Sequence, residues 1–202
     1  KCLILAKFRN AGQTCISPNR IYVHSKIHQE FIEKLKIAVS KLICDLPSHK
    51  TTRISCLYSK RGFEKVNCLV DSAMKMGAIC FYQGMHVQQC GSSYFPPTIL
   101  INCQSHMLIS KTEIFGPVCA IYEFSSDLQL MDEVNDSSHG LAGYVYSQNI
   151  KQIFKAIDDL NVGLIAINDS SPSTYLLPFG GHKESGIGSE LGSRAIYNYM
   201  DT

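Results

Sequence analysis

No apolar run in the sequence approaches the ~18 residues that a membrane-spanning helix requires, and the opening stretch KCLILAKF is followed by no signal-peptide cleavage pattern. Neither charge sign dominates. Lys plus Arg number 19 against 17 for Asp plus Glu, a net charge of +2, which speaks against a nucleic-acid or membrane-surface partner. Internal repeats, low-complexity linkers and CxxC pairs are all missing. So is a metal-ligand pattern: His24 and His28 stand four apart with no acidic or cysteine partner close in sequence, so no metal site is expected. Two phosphate-binding signatures are absent as well. Gly186-Ile187-Gly188 is followed by Leu191 where a dinucleotide fingerprint would place its third glycine, and no GxxxxGK[ST] loop occurs.

What remains is the composition of a globular protein. The 202 residues are 45% hydrophobic and 18% charged, enough for one sizeable core. The cysteines, nine in number and scattered, read as reduced, mostly buried thiols in a reducing compartment, cytoplasmic or mitochondrial.

Strand-like and helix-like runs alternate, which predicts an α/β architecture. Ile21-Tyr22-Val23 is a short β-rich run, after which Ser25 is placed to cap a helix carrying Ile27, Phe31, Leu35, Ala38, Val39 and Leu42 on one face, closed by Asp45-Leu46-Pro47. A second helix fits residues 60–76 through Phe63, Val66, Leu69, Val70 and Ala73, with Gly77 as its stop. A third fits 149–160, from Asn149 through Ile150, Ile153, Phe154, Ile157 and Leu160. Strands are expected over Val118–Phe124, Ala142–Tyr146 and Val162–Ile167, and residues 78–111 read as loops with short strands around Pro97–Leu100. The glycine-rich stretch Pro178–Gly192 reads as a loop leading into a final helix over 189–198.

Cys15 is the cysteine best placed for chemistry. It ends Arg9-Asn10-Ala11-Gly12-Gln13-Thr14-Cys15, a polar glycine-containing turn just before a strand. A thiolate nucleophile needs partial exposure, backbone donors nearby and an open approach, and the small Ala11 and Gly12 supply the last of these. Without further context Glu113 and Arg9 would be solvated charges, Phe115 and Phe179 core aromatics, and Ser173 a loop hydroxyl.

Three longer strings supply that context. FRNAGQTC at 8–15, EIFGPV at 113–118 and PFGGHKESGIGSELG at 178–192 resemble, in order and spacing, the nucleophile segment, the second motif and the C-terminal motif of the aldehyde dehydrogenase superfamily. PPTIL at 96–100 and GLAGYVYS at 140–147 extend the resemblance over essentially the whole chain. KFRNAGQTC, HGLAGYVYSQ and VGLIAIND are most similar to the succinate-semialdehyde dehydrogenases.

The resemblance implies an aldehyde dehydrogenase catalytic domain, an open mostly parallel sheet flanked by helices, over residues 1–177, with 178–202 as the C-terminal loop and helix of the same fold. It implies NAD or NADP as cofactor, a small aldehyde as substrate, and a homo-oligomer for the full-length protein. Position by position, it makes Cys15 the nucleophile that forms a thiohemiacetal and then a thioester. Glu113 becomes the carboxylate receiving the nicotinamide ribose hydroxyls, which suits an acceptor of two hydrogen bonds. Phe115 becomes the aromatic beside the nicotinamide. Arg9 and Ser173 would bind the distal carboxylate of the substrate, and Phe179 would line the substrate tunnel.

Two departures from the family stand out. Family members carry a cofactor-binding domain and an ELGG-type glutamate base upstream of the nucleophile, whereas Cys15 here follows only 14 residues. The 202-residue chain is therefore expected to be a fragment, inactive by itself, whose end at Met200-Asp201-Thr202 falls inside the family's last strand. Ser17 stands where many succinate-semialdehyde enzymes have a second cysteine, so a redox disulfide with Cys15 is not available there. An aldehyde dehydrogenase of other specificity, a non-catalytic relative and a cysteine hydrolase remain as alternatives.

Overall fold

A computed structural model describes residues 1–201, and Thr202, the end of the expected C-terminal segment, lies outside the described residues. The chain divides into two compact units, one running to Ser126 and the other beginning at Asp127.

The first unit is built on a four-stranded sheet, ordered β1-β4-β3-β2. β4 (Val118–Phe124) is central because its sequence allows nothing else: Val118 to Tyr122 is an unbroken apolar run exposed by 2% or less, as a strand covered on both faces should be. It pairs in parallel with β1 (Ile21–His24) on one side and β3 (Thr98–Ile101) on the other. The edge strand β2 (Ile79–Gln83) is antiparallel to β3 and carries an irregularity between Cys80 and Tyr82.

Helices cover the sheet. α1 (Cys2–Phe8) opens the chain and α2 (Ser25–Ser40) follows β1, burying Ile32, Leu35 and Val39. α3 (Lys60–Lys75) starts where the Ser59 hydroxyl accepts from the Gly62 N–H, the expected role of an N-cap serine. Its Val66, Leu69, Val70 and Ala73 fall on one stripe and are buried to 3% or less, each worth about 1.5–3 kcal/mol for the larger side chains. α4 (Leu108–Lys111) is a single turn before the 113–118 motif.

In the second unit, α5 (Asp127–Asn135) precedes β5 (His139–Gly140) and β6 (Ala142–Val145). α6 (Ile150–Asp159) then links β6 to β7 (Leu164–Ile167), which pair in parallel as a βαβ unit. The Asn149 carboxamide caps α6 by accepting from the Lys151 and Gln152 N–H groups. β8 (His182–Lys183), inside the glycine-rich stretch, pairs with β5. Gly163 is where that stretch comes closest: a Cβ there would sit 2.0 Å from the Gly180 carbonyl oxygen.

Several expectations are corrected. The α2 cap is His24, whose Nδ1 accepts from the Lys26 N–H, and Ser25 is the first helical residue. α1, α5 and β2 arise where no element was anticipated. The helix expected over 189–198 is replaced by turns and a 3₁₀ segment, Ala195–Tyr199, because Leu191 and Gly192 both take left-handed φ (57° and 65°) and interrupt it. Met200 and Asp201 belong to no strand. All nine cysteines are free, but only Cys90, Cys103 and Cys119 are buried, so most are not the core thiols the composition suggested. No helix among the described residues is long and apolar enough to cross a membrane.

Candidate active site

Parallel pairing of β1 with β4 in the register Ile21↔Ile121 points both N-terminal ends the same way, with β4 starting three residues before the level of Ile21. The segment that leads into β1 contains Cys15, and the segment that leads into β4 contains Glu113 and Phe115. Two stretches nearly a hundred residues apart thus leave the same end of one sheet.

The turn before Cys15 is wound in the left-handed region for three consecutive residues, Asn10 (φ 52°), Ala11 (φ 55°) and Gly12 (φ 76°). Such backbone is costly for residues other than glycine and asparagine and persists only when its surroundings over-determine it. Here the surroundings are visible. The Asn10 side chain donates to the Gln13 carbonyl and the Gln13 side chain donates to the Asn10 carbonyl, 3.1 and 3.0 Å. Gln13 Oε1 also accepts from the Tyr58 N–H at 2.8 Å, tying the turn to the chain entering α3. Cys15 itself lies in the next turn, closed by Ser17 N–H to the Thr14 carbonyl, and its thiol is exposed.

Gly12 meets the second motif directly. A Cβ on Gly12 would lie 2.2 Å from the Gly116 carbonyl oxygen, and one on Gly116 would lie 2.6 Å from Val66 Cγ2. Both positions must be glycine for the segments to pack at this distance. On the far side of that contact, Glu113 is exposed, Ile114 is fully buried, and Phe115 is 40% exposed with φ 52°. A bulky residue in that region is unusual. It is maintained between a buried Ile114 and the Gly116-Pro117 step into β4.

Two residues that sequence reasoning passed over fasten this arrangement. Lys7, at the end of α1, is 1% exposed, and its Nζ donates to the Pro18 carbonyl at 2.9 Å, bridging the two ends of the nucleophile loop. Ser17 Oγ donates weakly to the Lys7 carbonyl, 3.4 Å. Burial pushes the Lys7 ammonium down from 10.5 to about 8, with the nearby Cys119 thiol and Glu113 carboxylate opposing the fall. Burial likewise pushes the Cys119 thiol up to about 12. Asn19 is the second residue: its carboxamide reaches the 109–114 segment by three hydrogen bonds. A fully buried lysine runs against the ordinary exposure of that residue type, and no local signal marked it.

Of the other expected site residues, Arg9 caps α1, is exposed, and has no carboxylate partner among the described residues. Ser173 and Phe179 belong to the second unit. Ser173 is half-buried in the loop that follows Asn168 (φ 54°), and its carbonyl accepts from Ser171 Oγ. That loop is launched by Asn168, whose carboxamide accepts from the Ser147 N–H and donates to the Ser147 carbonyl, prolonging the β6–β7 pairing. Phe179 exchanges two backbone hydrogen bonds with Glu190, 2.7 and 2.8 Å. Among the described residues no group of three or more His, Cys, Asp or Glu side chains could hold a metal ion.

The exposed Glu113 carboxylate can accept two hydrogen bonds, and the partly exposed Phe115 ring two residues on offers a flat face, both on backbone pinned to the thiol-bearing loop.

The aldehyde dehydrogenase family model matches residues 1–202. The chain is 38% identical over 199 residues to succinate-semialdehyde dehydrogenase [NADP(+)] 1 of Schizosaccharomyces pombe, covering 98% of this chain and 40% of that protein. It is 32% identical over 198 residues to glutarate-semialdehyde dehydrogenase of Pseudomonas aeruginosa, covering 98% and 41%. Among solved structures, succinate-semialdehyde dehydrogenase from Burkholderia pseudomallei superposes with a TM-score of 0.94 at 33% identity, covering 98% of this chain and 41% of that one. The chain spans about 40% of the length of these relatives.

Proposed function

The chain belongs to the aldehyde dehydrogenase family, and on that premise we propose that it forms the catalytic part of an NAD(P)-dependent dehydrogenase oxidising an aldehyde with an anionic tail, succinate semialdehyde first. The observation that carries this reading is the pinning of the exposed Cys15 turn against the Glu113–Phe115 segment, through Gly12 and Asn19.

In this reading the Cys15 thiolate attacks the aldehyde carbon, and the carbonyl π electrons move to oxygen, where the Cys15 N–H receives the developing oxyanion. Bound NAD(P)+ supplies the hydride acceptor. As the C–H bond breaks the oxyanion collapses, leaving a thioester on Cys15. Attack by water on that thioester releases the carboxylic acid and returns the thiol. Glu113 would accept the ribose hydroxyls and Phe115 would pack beside the nicotinamide, fixing the approach of the ring to the reacting carbon.

The base that removes the thiol and water protons is, by the family resemblance, an ELGG-type glutamate, and no such segment occurs in these 202 residues. The mechanism therefore applies to a polypeptide that supplies it, acting as part of a homo-oligomer. Arg9, exposed and without a carboxylate partner among the described residues, is suited to a bidentate grip on a distal carboxylate.

The test uses the longest reading frame that contains the chain, purified and assayed for aldehyde-dependent NAD+ and NADP+ reduction. Cys15→Ala should abolish turnover while dinucleotide affinity, read by fluorescence titration, stays within about threefold. Turnover within tenfold of the parent enzyme would remove Cys15 from the mechanism.

A further inference from the structure

Asn19 stands four residues after Cys15 and two before β1. Its Nδ2 donates to the Thr112 carbonyl at 3.0 Å and to the Ile109 carbonyl at 3.3 Å, and its Oδ1 accepts from the Ile114 N–H at 2.7 Å. The Thr112 carbonyl belongs to the peptide on the N-terminal side of Glu113, and the Ile114 N–H to the peptide on its C-terminal side. One carboxamide thus grips both peptide groups that flank Glu113. With both ends fastened, the φ and ψ of Glu113 have little freedom, so the carboxylate leaves the backbone in a fixed direction. The grip is also local in reach on the other side, because Asn19 follows the Cys15 turn without an intervening loop.

These bonds satisfy groups that would otherwise be stranded. Thr112 is the C-cap of the single-turn α4 and Ile109 lies within that turn, too short to give either carbonyl a helical partner, and Ile114 is fully buried. We propose that Asn19 is a positioning residue of the dehydrogenase reaction: it sets the Glu113 backbone in register with the Cys15 turn, and so aligns the cofactor with the nucleophile. This rests on the dehydrogenase reading above, and its test separates the two.

The experiment takes as parent the protein from the longest reading frame that contains the chain and compares it with Asn19→Ala and Asn19→Asp, by amide hydrogen exchange and by steady-state kinetics with succinate semialdehyde and NADP+. In Asn19→Ala the Ile114 amide should exchange at least about tenfold faster while β4 and α3 keep their protection. Turnover should fall by about ten- to a hundredfold, with the aldehyde KM changed less than about threefold, since the loss falls on hydride-transfer geometry. The rate of Cys15 alkylation by iodoacetamide should stay within about twofold, as the thiol's own turn is closed by other bonds. Asn19→Asp keeps the size and the acceptor for Ile114 but sets a carboxylate oxygen against the Thr112 and Ile109 carbonyls, so it releases one end of the grip and guards against an alanine variant that unfolds. Its Ile114 amide should remain protected, and its turnover should still fall below the parent's.

An Ile114 amide unchanged in Asn19→Ala, faster exchange spread evenly over the whole unit, or a rise in aldehyde KM with turnover intact would each overturn the proposal. If the parent protein reduces no NADP+ with any aldehyde, the dehydrogenase reading falls and Asn19 positions nothing catalytic, whatever the exchange pattern shows.

Discussion

Replacing Lys7 by methionine should make the protein more stable at neutral pH and less stable in alkali. The side chain is 1% exposed, and its ammonium titrates near 8 where an unfolded chain would hold the proton to about 10.5. That displacement corresponds to about 3 kcal/mol by which burial disfavours the charged form. Between pH 8 and 10.5 the unfolded chain binds more protons than the folded one, so the parent gains stability as pH rises through this window. Below pH 8 it carries the full cost.

Methionine has nearly the same length and no charge, so it removes that cost at every pH. It also strands the Pro18 carbonyl, a loss of about 1–2 kcal/mol. The balance is a gain of about 1–2 kcal/mol at pH 7 that reverses into a loss of similar size above pH 10.5. Urea unfolding followed by far-UV circular dichroism in reductant, at half-unit steps from pH 7 to 10.5, measures the difference between parent and variant. A difference that does not change with pH would refute the reasoning, because it would mean that the lysine is not charged in a dry site. A retained penalty of this size fits a residue kept for the loop it clasps, since a neutral side chain would fill the same space more cheaply.

Gly12→Ala should destabilise the first unit by about 3 kcal/mol or more, since it combines a left-handed residue with a Cβ 2.2 Å from the Gly116 carbonyl oxygen; an unchanged urea midpoint would disprove the close packing. In the assembled enzyme, Glu113→Gln should lower turnover more than it raises substrate KM, because charge-assisted bonds to a ribose, on the order of 1.5–3 kcal/mol, are lost at the cofactor. A raised KM with turnover intact would count against the role. Arg9→Ala should reduce kcat/KM for succinate semialdehyde by about two to three powers of ten and leave butanal nearly unaffected. Equal slowing of both aldehydes would make Arg9 structural.

Local chemistry was legible wherever a single segment carried its own instructions. Asn149 marked a helix start because its side chain bonds to N–H groups two and three residues on. Val118–Phe124 declared itself by an apolar run that only a doubly covered strand can tolerate. The FRNAGQTC string announced an exposed thiol on a tight turn, and the turn is there.

The tertiary structure alone decided how such pieces meet. Gly12 and Gly116 are separated by more than a hundred positions, and although each lies in a recognisable motif, nothing in either motif says that the two meet. They touch because β1 and β4 pair in parallel, a register set by the sheet as a whole. The same pairing gives Asn19 its three partners at 109–114, a match that no periodicity encodes. It also closes water away from Lys7, whose charge would have marked it as a surface residue in any reading of the segment alone. Spacing along the chain reports what a residue can do with its near neighbours. The burial of a charge and the direction of a carboxylate depend on distant segments, and these become neighbours only once the sheet has formed.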